Sequence, residues 1–260
     1  MNIKYHILSV MVLTLIIVGL ARAEFLFAIT MDDELLSLNP ATGSGTLIGM
    51  LDTAMGGIGL SNRGLEIYTF DQNTNRLQQL DPLTAHTLAT IDIGITTFGE
   101  GSIAFRSDGI GFLARSFYLT GTLWSFNLTV PDSAIIGTFD FGMDGLDFNS
   151  DDIMYGLSQM SYNLYTINPV DAETTLIGPT GLTSQTILGG LTFSSDGTLY
   201  AVLNDALYTL DPGTGTATLI GPIGYDKVSG LTTTAPVPDA ALLCGLGAGL
   251  VYWLRRIKKV

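Results

Sequence analysis

A strand-and-turn phrase returns five times along the chain at a nearly constant interval, and this repeat limits the folds that the sequence can adopt. The copies are LLSLNPATG at 35–43, LQQLDPLTA at 77–85, LWSFNL at 123–128, LYTINPVDA at 164–172 and LYTLDPGTG at 207–215. The Asn or Asp of each turn lies at position 39, 81, 127, 168 or 211, so successive copies are 42, 46, 41 and 43 residues apart. Such an interval, without helical periodicity, is typical of a β-propeller blade of four short strands.

A second phrase, built on Gly-Leu and followed by a turn, alternates with the first. Its copies are GIGLSNRG at 57–64, GSIAFRSDG at 101–109, DGLDFNSDD at 144–152, LGGLTFSSDG at 188–197 and the shorter SGLTTT at 229–234. We call the strand of this second phrase strand a and the apolar run after its turn strand b. The strand of the first phrase is strand c, and the run that follows it and ends in Ile-Gly is strand d. Alternating apolar residues fit half-buried strands, and Asn-Pro, Asp-Pro, Asp-Gly and Thr-Gly fit the turns between them.

The order of strands at the two ends distinguishes a closed ring from an open stack. The repeat region starts in a b strand at 25–30 and finishes with a lone a strand at 229–234. Each strand type reaches five copies only if the last strand joins the first blade, which is how propellers hide their terminal edges and which a linear solenoid does not need. The sequence therefore predicts an all-β, five-bladed propeller over residues 24–235, closed by strand 229–234. About 42 residues per blade disfavour a sixth blade.

Residues 1–23 have the three parts of a secretory signal peptide. Lys4 precedes an apolar run at 7–20, and Ala21-Arg22-Ala23 provides small residues before Glu24. We therefore expect cleavage after Ala23 and export of the remainder. An uncleaved N-terminal anchor is the alternative, although the apolar run is shorter than the ~20 residues of a spanning helix.

Residues 236–260 form a second three-part segment. A Pro-rich motif at 236–239 precedes an apolar run at 240–254, which predicts a transmembrane helix, and a basic cluster at 255–259 is expected to stay in the cytoplasm. This order resembles the PEP-CTERM sorting signal of diderm bacteria, which an exosortase recognises, with Val-Pro-Asp in place of the usual Val-Pro-Glu-Pro. The resemblance implies an exosortase-like partner, transient anchoring that faces the periplasm or outside, and release to the cell surface or beyond after tail cleavage. The sorting motif would consist of Val237, Pro238, Asp239, Arg255 and Arg256.

A permanent single-pass anchor is the alternative reading of this tail.

The repeat region itself resembles bacterial secreted propeller-repeat proteins, including those with YVTN-like repeats, across nearly all of residues 24–235. That class is recognised by the spacing of its repeats, so the resemblance implies no catalytic residue. A propeller fold by itself does not specify a function.

Composition excludes several kinds of chemistry. The formal net charge is −13, and residues 24–235 carry 23 acidic against 5 basic side chains, so nucleic-acid binding is disfavoured. His6 lies in the signal peptide and Cys244 in the tail, which leaves His86 as the one histidine of the repeat region and no cysteine. This excludes zinc sites built on His and Cys, cysteine nucleophiles and His-pair catalysis. We expect His86 to be an exposed turn residue.

Features shared by all blades serve the fold, and features that differ between blades are candidates for function. Turns a–b and c–d are predicted to share one face of the disc, while the b–c loops and the d–a crossovers form the opposite face, here called the loop face. Its variable residues suggest a ligand site made of Asp52, Glu100, Tyr118, Asp144, Tyr162 and Asp226. Asp32, Asp33 and Glu34 could supply oxygen ligands to calcium, the one cofactor indicated. The alternative is that these carboxylates are solvated loop residues.

The sequence favours an exported, non-enzymatic propeller of the cell envelope or matrix whose loop face binds a saccharide or an envelope protein. No catalytic residue is predicted. One alternative is a carboxylate-based hydrolase of extracellular polysaccharide, which needs two carboxyl groups roughly 5 to 9.5 Å apart. A passive surface-layer or biofilm component is the other.

Overall fold

The computed structural model describes residues 24–52, 57–96, 100–117, 120–183, 189–203 and 205–234. The predicted signal peptide, transmembrane helix and sorting motif lie outside these ranges. Among the described residues, no helix has the length and apolar character that a membrane span requires. Phe25–Ala235 forms one compact unit.

Within these described ranges, twenty strands form five antiparallel sheets of four strands, which confirms the prediction of a five-bladed propeller. Blade 1 holds β1 (Leu26–Thr30), β2 (Glu34–Leu38) and β3 (Gly45–Met50); blade 2 holds β4 (Gly57–Arg63), β5 (Glu66–Asp71), β6 (Arg76–Leu80) and β7 (Thr87–Ile91); blade 3 holds β8 (Glu100–Phe105), β9 (Gly111–Phe117), β10 (Thr120–Phe126) and β11 (Ser133–Phe139); blade 4 holds β12 (Met143–Phe148), β13 (Met154–Ser158), β14 (Asn163–Ile167) and β15 (Thr174–Pro179); blade 5 holds β16 (Gly189–Phe193), β17 (Leu199–Leu203), β18 (Ala206–Leu210) and β19 (Ala217–Pro222). The last strand, β20 (Val228–Thr233), returns to complete blade 1.

Ring closure takes place between the first and last strands. β20 pairs antiparallel with β1, from Leu26 opposite Thr233 to Ile29 opposite Gly230. This confirms the predicted closure, with the strand shifted by one residue from the predicted 229–234. Because the two ends of the repeat region pair with each other, blade 1 has four strands like the other blades, and β20 covers the inner edge of β1.

The hydrophobic core is divided into five clusters, one at each boundary between neighbouring blades. Between blades 1 and 2, for example, Ile29 and Leu35 pack with Leu60 and Ile67, all of them buried. Alternation along each strand places apolar side chains on the faces that meet the next blade. Each fully buried aliphatic side chain contributes roughly 1.5–3 kcal/mol. The propeller is thus stabilised by blade-to-blade contacts that run around the whole ring.

The Gly-Leu phrase brings the five inner strands together at the centre of the ring. A Cβ atom at Gly190 would lie 2.7 Å from the backbone nitrogen of Leu231, and one at Gly230 would lie 2.7 Å from that of Leu60. Glycine at this position therefore allows neighbouring inner strands to touch through their backbones. Cα atoms of β12 and β20, which are not neighbours in the ring, also come within 8 Å of each other. The inner strands therefore approach one another closely around the axis.

The Ile-Gly ending of strand d has the same role near the outside. A Cβ atom at Gly49 in blade 1 would lie 2.5 Å from the carbonyl oxygen of Thr84, in the c–d turn of blade 2. The other blades repeat this contact with the c–d turn of the next blade, through Gly94, Gly137, Gly178 and Gly221. Both phrases of the sequence repeat are therefore explained by close approach between blades.

Candidate functional site on the loop face

Backbone hydrogen bonds join the b–c loops to the d–a crossovers. The crossover nitrogen of Leu51 donates to the carbonyl oxygen of Asp33 at 2.7 Å, and Thr180 donates to Tyr162 at 3.1 Å. In blade 5, Ile223 donates to Asp205 at 2.9 Å. In these three blades the b–c loop is thus joined to the crossover that follows the outer strand.

Two predicted ligand residues, Asp33 and Tyr162, shape the backbone of their b–c loops. Asp33 and Tyr162 have left-handed backbones, with φ of 63° and 49°, and are buried. Asn75 and Asp205 have the same backbone conformation in the b–c loops of other blades. A feature that recurs in several blades belongs to the fold, so the structure gives Asp33 and Tyr162 a role in closing their loops.

The three carboxylates considered for calcium lie in different surroundings. Asp32 is exposed and forms an ion pair with Lys227 Nζ at 2.8 Å, and this hydrogen bond raises the pKa of Lys227. Glu34 Oε2 accepts a hydrogen bond from Thr30 Oγ1 at 3.0 Å. Within the described ranges, no three residues among His, Cys, Asp and Glu are grouped closely enough to hold a metal ion. Calcium binding by Asp32, Asp33 and Glu34 stays a prediction.

Asp52 lies at the boundary between blades 1 and 2, just after outer strand β3. Its carboxylate accepts a hydrogen bond from Thr87 N at 2.7 Å and lies 3.0 Å from His86 Nδ1. The backbone hydrogen bond from Thr87, followed by that from His86, holds the pKa of Asp52 below its usual value. His86 is exposed in its turn, as the sequence predicts. Asp52 is therefore placed among the outer elements of the blades and away from the axis.

The other predicted ligand residues are distributed over the loop face. Asp144 lies in inner strand β12, beside Gly189 of blade 5, and its relative exposure is 5%. Asp226 is exposed in the crossover that enters β20. Glu100 begins inner strand β8 and pairs with Ser116, while its side chain and the whole of Tyr118 lie outside what the structure describes.

Sequence reasoning missed Arg115, near the loop-face end of β9. Its side chain is buried at 4% relative exposure, and its guanidinium carbon lies 5.1 Å from the centre of the Phe70 ring in blade 2. Burial lowers the pKa of Arg115 to about 10. The equivalent residues of the other blades differ, being Thr30, Asp71, Ser158 and Leu203. A comparison of b strands across the repeat would have singled out this position.

Sequence reasoning also missed Asp147, nearer the other end of inner strand β12. Its carboxylate accepts hydrogen bonds from Phe148 N at 2.8 Å, Phe193 N at 2.7 Å and Thr192 Oγ1 at 3.0 Å. The last two donors belong to blade 5, so Asp147 connects two inner strands. The residue keeps partial exposure, but its carboxylate is enclosed, and this burial raises the pKa of Asp147 to about 6. Other Gly-Leu phrases carry Ser, Ala or Thr at this position.

Comparisons with known proteins support the fold and nothing finer. No protein-family model matches this chain, and no curated protein matches it. One similar solved structure comes from work on the de novo evolutionary emergence of a symmetrical protein; it has a TM-score of 0.53 and 14% identity and covers 82% of this chain and 100% of its own. Another comes from a nidogen/laminin complex, with a TM-score of 0.54, 14% identity, and coverage of 82% of this chain and 98% of its own. At this identity, the likeness shows the fold alone.

Proposed function

We propose that this chain is an exported propeller of the cell envelope or extracellular matrix, whose loop face binds a saccharide or an envelope protein without chemical conversion. The observation that carries the proposal is the loop face itself. Backbone hydrogen bonds such as Leu51 to Asp33 and Ile223 to Asp205 join b–c loops to crossovers on this face. Its side chains differ from blade to blade, whereas the inner and outer contacts repeat. A surface with varied side chains on a repeating scaffold is suited to recognition.

Buried polar groups beneath this surface support a recognition role. Arg115 and Asp144 are both almost completely buried near the loop-face ends of their strands. Burying a charged group is costly unless neighbouring groups compensate, so such residues are uncommon in a purely passive scaffold. Asp226 supplies an exposed carboxylate on the same face.

Contacts of two carboxylates, Asp147 and Asp52, favour structural roles over hydrolysis. A glycosidase needs one carboxyl group with a raised pKa that can reach the substrate, and a second carboxylate near it. Asp147 has a raised pKa, but its oxygens accept two backbone hydrogen bonds and one hydroxyl hydrogen bond between blades 4 and 5. Asp52 is held by Thr87 and His86 at the blade boundary. These positions suit structural roles.

Ligand binding is tested by the melting temperature of residues 24–235 with calcium, a panel of oligosaccharides and candidate envelope proteins. A protein ligand belongs in the panel because the proposal includes an envelope protein as a partner. A ligand that binds only the folded state, at 100 times its Kd, adds about 2.7 kcal/mol of stability. We expect Asp226→Asn to reduce the shift and Asp151→Asn, an exposed change in an a–b turn, to leave it intact. No shift with any ligand, or equal loss in both variants, would contradict binding at the loop face.

Export and sorting form the second part of this proposal, and they depend on residues 1–23 and 236–260. The test is the intact mass of the protein recovered from its host envelope, together with labelling by a thiol-reactive maleimide. Cys244 is the single cysteine and lies in the tail, so a chain that has lost its tail cannot be labelled. A labelled mature protein would indicate a permanent anchor, and retention of residues 1–23 would contradict signal-peptide cleavage.

A further inference from the structure

The five outer strands, which we call the rim, carry no charged residue. Each of them ends its sheet and is paired on one side alone. Their sequences are GTLIGM, TLATI, SAIIGTF, TTLIGP and ATLIGP for β3, β7, β11, β15 and β19. Natural proteins usually protect such edges with charged side chains, above all Lys, because an unpaired edge can pair with another strand. The rim lacks that protection in all five blades.

Every outer strand also exposes one large aliphatic side chain. Four of them follow the same register, opposite an equivalent residue of strand c, and Leu88 is the corresponding exposed residue of blade 2. Their relative exposures lie between 44% and 61%, for Leu47, Leu88, Ile135, Leu176 and Leu219. The repeat thus places an apolar side chain beside each unpaired edge.

A β-bulge interrupts these edges, and β15 and β19 also end in proline, at Pro179 and Pro222. In four blades the bulge falls on the residue after the exposed aliphatic, at Ile48, Ile136, Ile177 and Ile220. The bulge shortens the regular hydrogen-bonding edge of the outer strand, so pairing of one outer strand with another would be weak. The five edges point outward in different directions, so one molecule can pair with more than one neighbour through separate weak contacts.

Charge decides which kind of partner fits this rim. Residues 24–235 hold 23 acidic and 5 basic side chains, and most of the acidic ones lie in the turns and loops of the two faces. Two copies would therefore repel each other face to face. At the rim they would meet through uncharged edges, so no charge would have to be buried. The near-identical strands GTLIGM, TTLIGP and ATLIGP can also pair antiparallel with their own kind, as a two-fold contact between copies requires.

We propose that the rim is a self-association surface, through which copies of this chain join edge to edge by their outer strands. The contact would bury the exposed aliphatic side chains of β15 and β19 and those of their equivalents. It would place propellers side by side and leave both faces free. Because the rim and the loop face are separate surfaces, this proposal and the ligand-binding proposal can fail independently.

The test is sedimentation velocity of residues 24–235 over a range of protein concentrations. This segment contains all twenty strands and closes its own ring, so it is expected to fold alone. We expect the average mass to rise with protein concentration. It should also rise from about 0.01 M to about 1 M NaCl, as the Debye length falls from about 30 to about 3 Å and repulsion between acidic copies is screened.

Paired lysine variants separate the rim from general charge effects. Leu176→Lys with Leu219→Lys places two charges on the rim, and we expect it to weaken association about tenfold or more. Leu65→Lys with Ile153→Lys makes the same charge change at exposed aliphatic residues of a–b turns and should leave association unchanged. Circular dichroism confirms that both variants are folded. A monomer at every concentration and salt level, equal loss in both variants, or binding to neutral lipid vesicles without self-association would overturn the proposal.

Discussion

Asp52 and His86 meet across the boundary between blades 1 and 2, with Oδ1 of the carboxylate 3.0 Å from Nδ1 of the imidazole. Their positions in the repeat place Asp52 in a d–a crossover and His86 in a c–d turn, which the sequence assigns to opposite faces of the disc. The structure brings them together because the outer strand of each blade ends beside the c–d turn of the next, as the contact between Gly49 and Thr84 also shows. Near the rim, strand twist removes the simple division into two faces.

Replacement of Asp52 tests its structural role. We expect Asp52→Ala to lower the Tm by about 1–2 °C at pH 7, since an exposed contact contributes little. Hydrogen bonds depress the pKa of Asp52 in the folded state, so its contribution is complete above the unfolded pKa of about 4 and is lost as the pH falls through the lower folded value. Thermal melts from pH 7 to pH 2 should show the two proteins converging. Asp52→Asn, which keeps an acceptor for Thr87 N, is the control. A decrease in Tm as large as that of Asp52→Ala would contradict the structural role assigned to this hydrogen bond.

Asp147 should produce the opposite pH dependence. Its pKa is raised to about 6 by burial, so the folded state binds more protons than the unfolded state between about pH 4 and pH 6. Stability should therefore fall as the pH rises through this window, by an amount on the order of 1–3 kcal/mol. Asp147→Asn removes the buried charge and should flatten this part of the curve, as measured by urea unfolding at several pH values.

Asp81→Asn is the matched control for that experiment. Asp81 is an exposed turn carboxylate whose pKa is lowered, first by the backbone hydrogen bond from Leu83 and then by the hydroxyl of Thr84. Its replacement should leave the decrease between pH 4 and pH 6 unchanged. An unaltered slope in Asp147→Asn would show that another group is responsible.

The inner glycines should resist even the smallest substitution. Gly190→Ala would place a Cβ atom 2.7 Å from the backbone nitrogen of Leu231, and neither strand can move without disturbing the ring. We expect a loss of roughly 1–3 kcal/mol by chemical denaturation, as is usual for overpacking. Gly213→Ala, in an exposed turn where the nearest atom would be Asp211 Oδ1 at 3.3 Å, should change stability by less than about 0.5 kcal/mol. Equal effects would argue against backbone contact at the axis.

Removal of the closing strand should abolish cooperative folding. A chain of residues 24–227 lacks β20, so the inner edge of β1 loses its partner and blade 1 loses its inner strand. We expect broad thermal unfolding and rapid proteolysis of this chain. The control ends at residue 235, which keeps β20 and removes only the tail. A cooperative transition in the shorter chain would mean that closure is dispensable.

The sequence by itself determined the number of blades, the order of strands and the closure of the ring. These features follow from the spacing of the two repeat phrases, and spacing is visible without coordinates. It also identified residues such as Asp52 and Asp144 as the ones that differ between blades. The sequence could not assign the surroundings of these residues, because the side chain of a loop residue is oriented by contacts with elements far away in the chain.

Only the tertiary structure decided which charged groups are buried and what they contact. Asp52 and Asp144 look equivalent in the repeat, yet one is exposed beside His86 and the other is buried in an inner strand. Arg115 and Asp147 occupy ordinary strand positions in the sequence, and their importance comes from burial against neighbouring blades. The physical reason is that the repeat period sets the backbone of each blade locally, whereas burial and hydrogen bonding depend on the packing of one blade against the next.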